Sequence, residues 1–234
     1  FLLFKQFEQL DIEQPELEIR RDTNGHVWVA GLDTQAAGDG TGADWFFSQP
    51  EFLIRGGVVH WRDESRSSQS QTSAPVLTLK EVDVAIQNRW FRHELRADVT
   101  PPDVLGQRLS TRGNFYQYPW QRAGNWEQWS GEAFVSMPHV DLASLRQWVT
   151  MDKGLSLQEG RGAVQLWVDV HKGQPVGVTG DVALDAVDAR LGADLKPLSL
   201  RHVHGRVGVQ WQNGEVEISS QDLVFDTQEG EYWP

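Results

Sequence analysis

Few residues in this chain have the types and spacing that chemistry needs. His202 and His204 stand two apart and would project from one side of a strand, an arrangement metal sites use. No second pair lies at ligand spacing, and no HExxH helix accompanies them. Asp63 and Glu64 are adjacent carboxylates, but neighbours on a strand face opposite ways, so they read as a solvated strand end and not as a general acid and base. Ser130 sits in WSGE without the GxSxG elbow of a serine nucleophile. The run GDGTG at residues 38–42 lacks the lysine of a phosphate-binding loop and the spacing of a dinucleotide fingerprint, and reads as a loop. With no cysteine, thiol nucleophiles, zinc–thiolate sites and disulfides are all excluded. The residues therefore predict no enzyme, no metal and no cofactor.

The aromatic side chains are the remaining candidates for binding. Eleven Trp could stack sugar rings. Most, however, fall in strand alternation (Trp61, Trp129, Trp167, Trp211) or on a helical stripe (Trp148), where packing explains them. Trp120 and Trp126, in a stretch rich in Trp, Pro and Gly, are the ones left for a glycan-binding alternative. The formal net charge of -12, with no basic run longer than two residues, argues against binding nucleic acid or an anionic lipid surface through overall charge.

Those residues are carried by a chain that reads as all-β. Runs of alternating apolar and polar residues recur, each closed by Gly, Pro, Asn or Asp, as in successive antiparallel strands. Leu17 and Ile19 alternate with Glu16 and Glu18, then Asp22-Thr-Asn-Gly25 turns the chain into Val27 and Val29, the clearest hairpin present. Residues 43–48 suit one helical turn before Pro50. Phe52 and Ile54, then Val59 and Trp61, read as two strands meeting at Gly56-Gly57 in a tight turn or bulge. The apolar face of residues 76–86 switches sides, which requires a bulge near Lys80-Glu81. Residues 66–75 read as a polar surface loop. One longer helix interrupts the strands, with Asp141 as N-cap and Leu142, Leu145, Trp148 and Val149 on one stripe over about three turns. The spacing thus predicts a long, mostly antiparallel meandering sheet with minor helix. It is expected to be a single domain over 1–234, with a soft boundary in residues 118–128.

The later strands share one pattern, apolar on one face and wet on the other. Val164, Leu166 and Val168 form one stripe; Val176, Val178, Val182 and Leu184 the next; Val207, Val209 and Trp211 a third. Their opposite faces carry Gln165, Asp169, Asp181, His204 and Arg206. A dry sheet face must be covered by another sheet, by closure into a barrel, by helices or by an apolar ligand. These ten residues are expected to line an apolar groove, against the simpler reading that they pack a core under the helix.

At this point the ordered set PELEIRRDTNGHVWVAGL, WFFSQPEFLIRGGVVHWRDE, VLTLKEVDVAIQN, RHELRADVTPPDVLG, WSGEAFVSMPHVDLASLRQWV, GRGAVQLWVDVHKGQPVGVTGDVALDAVDARL and LSLRHVHGRVGVQWQNGEVEISSQDLVF resembles the AsmA-like region of YhdP-like envelope proteins of Gram-negative bacteria. That resemblance implies an internal segment of an inner-membrane-anchored, bridge-like lipid-transfer protein in the periplasm. It implies that the all-β sheet is strongly curled into a groove or open barrel that conducts phospholipid acyl chains towards the outer membrane, with membrane attachment through a helix outside this segment. It brings no catalytic residues, and envelope protein partners are expected. The opening FLLFKQFEQ and the end at Tyr232-Trp233-Pro234 fit a piece of a longer polypeptide. A structural or protein-docking β module is the other alternative.

Overall fold

The computed structural model describes residues 9–24, 26–30, 32–33, 41–64, 75–145, 148, 156–190, 197–212, 215–227 and 232–233. Fourteen strands join one sheet whose hydrogen-bonded order is a path with two ends, so the sheet is open and not a closed barrel. The chain divides into two compact units: Phe1–Pro102 with Ser110–Glu132 and Val170–Gln174, and Asp103–Leu109 with Ala133–Asp169 and Pro175–Pro234.

In the first unit, β1 (Leu10–Glu13) and β2 (Glu16–Arg21) both run parallel to β5 (Glu51–Asp63), one along each half of it. Gln14 at φ 49 turns the chain between them. The expected hairpin forms: β2 pairs antiparallel with β3 (Val27–Val29), and the Asp22 carboxylate accepts the Asn24 and His26 amides at 2.8 and 2.9 Å. β3 continues to β4 (Leu32–Asp33). Residues 43–48 belong to a longer helix than expected, α1 (Thr41–Ser48), eight residues long. Phe46 and Phe47 from this helix pack edge-on against Phe52 and Trp129 at 4.4 and 4.8 Å.

Where two strands meeting at Gly56-Gly57 were expected, β5 is one strand with a bulge, its register to β6 (Val76–Arg89) slipping on both sides of Gly57. Gly56 sits at φ 62, and a side chain at Gly57 would meet Pro15 at 3.3 Å, so the sequence needs glycine at both. The predicted bulge in β6 is present, with Glu81 at φ 47 and the register to β7 (Arg92–Thr100) slipping between Lys80 and Asp83. The two bulges are tied by the Gly56 amide, which donates to Asp83 at 2.9 Å. β8 (Leu109–Tyr116) follows β7, and most of the expected loop at residues 66–75 lies outside the described residues.

The second unit is built on most of β9 (Ser130–Asp141), β10 (Ser156–His171) and β11 (Gln174–Arg190), with all of β12 (Leu198–Gln212), β13 (Glu215–Thr227) and β14 (Tyr232–Trp233). Asp141 is the predicted N-cap: its Oδ1 accepts the Ser144 amide at 3.0 Å. The helix described there is α2 (Leu142–Leu145), with a turn closed by the Trp148 amide on the Leu145 carbonyl; residues 146, 147, 149 and 150, including the expected Val149, lie outside the described residues.

Candidate functional site

The register of β11, β12 and β13 fixes which side chains share a face. Directly opposed residues in an antiparallel pair project to the same side. Val178 opposes Val209, which opposes Ile218; Leu184 opposes Val203, which opposes Phe225; Trp211 opposes Val216. Leu166 reaches the same face from β10, since a side chain at Gly180 would meet its Cδ2 at 3.1 Å, and Gly180 opposes Val207. The apolar stripes read from the sequence therefore fall on one continuous face of this unit.

That face is covered at one end and open at the other. Val140, Val164, Leu184, Val187 and Leu200 form a buried cluster, roofed by Leu142 and Leu145 of α2 and joined by Leu166, Val182, Val203 and Phe225. Val168, Val176, Val178, Val207 and Val209 lie outside the cluster and are half-buried. Beyond them exposure climbs to 42% at Trp211, 58% at Val216 and 72% at Ile218. From Val203 to Trp211 the face runs roughly 26 Å at ~3.3 Å per residue.

Of the ten residues named as lining, Val164 and Leu184 are core, Leu166 and Val182 pack on that core, and the remaining six occupy the open stretch. Val140, Val187, Leu200 and Phe225 were missed. Val187 is out of phase with Leu184 in a regular strand and joins it only because Ala186 sits at φ 50, a reversal without the Gly that usually signals one. Gly205, at φ 143, makes the corresponding irregularity in β12, where a side chain would run into the Asp222 carbonyl at 2.6 Å.

The opposite face of the same strands is polar. Arg206 makes a two-pronged ion pair with Asp181 at 2.5 and 2.7 Å and lies 5.3 Å over the Trp167 ring. The Arg206 guanidinium holds the Asp181 carboxyl below its ordinary range. His202 Nδ1 meets Asp185 at 2.6 Å beside a shallow cleft of about 390 Å³, and His204 lies one row along, opposite Val224. Among the described residues no three His, Asp or Glu side chains converge as a metal site would require. In the first unit, the Ser130 hydroxyl accepts the Lys172 amide at 3.0 Å and faces His171 Nδ1 at 3.4 Å, which ties down a turn.

An open, mostly antiparallel sheet, apolar and partly uncovered on one face of its second unit, defines an all-β protein. The chain matches the family model described as YhdP protein over residues 3–234 and belongs to that family of bacterial envelope proteins. No curated protein and no solved structure matches it. Among the described residues no helix is long and apolar enough to cross a membrane.

Proposed function

We propose that this chain is a non-enzymatic lipid-binding and lipid-transfer segment, in which the open part of the apolar face in the second unit holds phospholipid acyl chains in passage between the inner and outer membranes of a Gram-negative envelope. The observation that carries this reading is the gradient of cover along one continuous apolar face, from buried Leu184 to Ile218 at 72% exposure. Exposing an acyl chain of about 16 carbons to water costs on the order of 10 kcal/mol, at about 0.8 kcal/mol per methylene. The apolar face runs roughly 26 Å from Val203 to Trp211, of which the open part from Val207 to Trp211 is about 13 Å at ~3.3 Å per residue, close to the ~15 Å half-thickness of a bilayer core, so it can cover most of such a chain. The polar face behind it stays in water, and the headgroup would lie at the open margin. In this reading the segment is periplasmic and the parent protein is held to the inner membrane by a helix outside it.

Native mass spectrometry with lipid extraction tests this. Wild type should copurify with phospholipid, and Val178→Asp, which lies outside the buried cluster, should lose the lipid while remaining folded. A lipid-free wild type, or a Val178→Asp chain that unfolds, would show that the face is closed in solution and sink the proposal.

A docking module is favoured by a different observation. β14 pairs with β13 only at Phe225 and Asp226, so among the described residues β13 from Glu215 to Leu223 bonds only β12 and offers an outer edge for strand addition. That reading requires a protein partner bound at this edge and no copurifying lipid.

A further inference from the structure

The first unit carries an aromatic end that nothing in the apolar face of the second explains. β6 and β7 are joined by a two-residue turn, Trp90-Phe91, between the opposed pair Arg89 and Arg92. Trp90 sits at φ 56, where hairpin turns usually place Gly, Asn or Asp, and the residue is 91% exposed. Beyond an edge contact with Phe91 at 6.4 Å, no ring packing among the described residues offsets that backbone conformation. Strain of this kind, kept at an exposed tip, points to a task outside the fold.

The neighbouring loop extends the same end. The Gln117 amide donates to the Phe91 carbonyl at 3.0 Å, which sets the start of the loop beside the tip. The loop is held in shape by the Tyr118 amide on Gln121 Oε1 and by Gln117 Nε2 on the Gln121 carbonyl, at 2.8 and 3.2 Å. It presents Trp120, 78% exposed and stacked on Tyr118 with ring planes 6° apart, and Tyr116 and Trp126 are exposed nearby in the chain.

From this geometry we infer that the Arg89–Arg92 turn and the Tyr118–Trp120 loop form a docking tip for the headgroup region of an anionic phospholipid bilayer. Trp and Tyr concentrate at that depth because each combines an apolar body with a polar edge. Arg89 and Arg92 share one face, are exposed, and make no ion pair among the described residues, which leaves both guanidinium groups free to meet phosphates. A turn of two residues is convex, unlike the concave seat a saccharide needs. The chain as a whole is acidic at -12, so its summed charge does not attract an anionic surface; the contact is local, within a Debye length of about 8 Å. This inference stands apart from acyl-chain binding by the second unit.

Flotation of the whole chain with phosphatidylcholine vesicles, with and without phosphatidylglycerol, tests it. Wild type should float with the vesicles that contain phosphatidylglycerol, with its Trp emission quenched by brominated acyl chains. Arg89→Ser with Arg92→Ser should lower that partition roughly tenfold or more. Trp90→Asn suits the turn's backbone and should leave the unfolding midpoint unchanged or higher while weakening flotation with the vesicles that contain phosphatidylglycerol. Absence of flotation, flotation insensitive to both variants, or Trp quenching by soluble oligosaccharide in place of vesicle binding would overturn the inference. Val178→Asp should still float, so failure of the groove and failure of the tip are read separately.

Discussion

His93 shows how one buried polar residue is made to fit. Its ring stacks on Trp129 with centroids 3.8 Å apart, only 2% exposed. Nδ1 meets Asn88 Oδ1 at 2.7 Å, and Asn88 is oriented by its own Nδ2, which donates to the Gln49 carbonyl at 2.8 Å. Nε2 faces Gln117 Oε1 at 3.2 Å, an oxygen already fixed by the Trp129 indole N–H at 3.1 Å. Both ring nitrogens thus face acceptors, and a neutral imidazole can donate to only one. Burial nevertheless pushes the pKa below 6.5, with the Gln117 contact pulling the other way. A folded value below the unfolded one means that the unfolded chain takes up the proton first. Stability is then full above 6.5 and is lost as pH falls below it, levelling once the folded ring is also protonated. Urea unfolding should show this slope weakened in His93→Gln with the other six histidines in place. A slope unchanged by the substitution would mean that His93 does not carry it.

At the scale of elements, α2 is a short helix that depends on its cap. Asp141 Oδ1 takes the Ser144 amide, and Oδ2 accepts from Arg161 Nε at 2.9 Å. The Ser144 amide first, then Arg161, holds the carboxyl below its ordinary 3.8. The cap is therefore intact at neutral pH and is lost only as pH falls below that value. Asp141→Ala should cost about 1 kcal/mol in equilibrium unfolding. Asp141→Asn, which keeps an acceptor for Ser144 but loses the charge opposite Arg161, should cost less. Equal losses in the two variants would place the energy in the ion pair. The turns of the first unit follow the same logic of local chemistry, as in the Asp22 carboxylate gathering two amides and the bulge of β6 bonding the bulge of β5.

For the molecule as a whole, the contrast within one apolar face matters most. Val140, 2% exposed in the buried cluster, and Ile218, 72% exposed, both serve the same unit. Val140→Ala should cost about 2 kcal/mol, from lost burial and the cavity left behind. Ile218→Ser should change stability by less than about 0.5 kcal/mol and, if the open face holds lipid, lower lipid retention. A large loss of stability in Ile218→Ser would show that something in the folded chain covers it.

By itself the sequence determined which side chains face together along a regular strand and where most strands turn, bend or begin a helix, though not the reversal at Ala186. The turn opened by Asp22, the face switch at Glu81 and the Asp141 cap are local events, set by period-two alternation, turn residues and a side-chain oxygen three residues from the amide it caps. Only tertiary structure decided what covers each face, because coverage depends on contacts between residues distant in the chain. Nothing near Leu10 or Glu16 announces that β1 and β2 run parallel to β5, about forty residues on. The His93 network joins Gln49, Asn88, Gln117 and Trp129, and no local pattern links them. The ten apolar residues of the expected groove look alike in the sequence. The fold alone separates Val164 and Leu184, closed under α2, from Val209 and Trp211, left open at the far end of the same face.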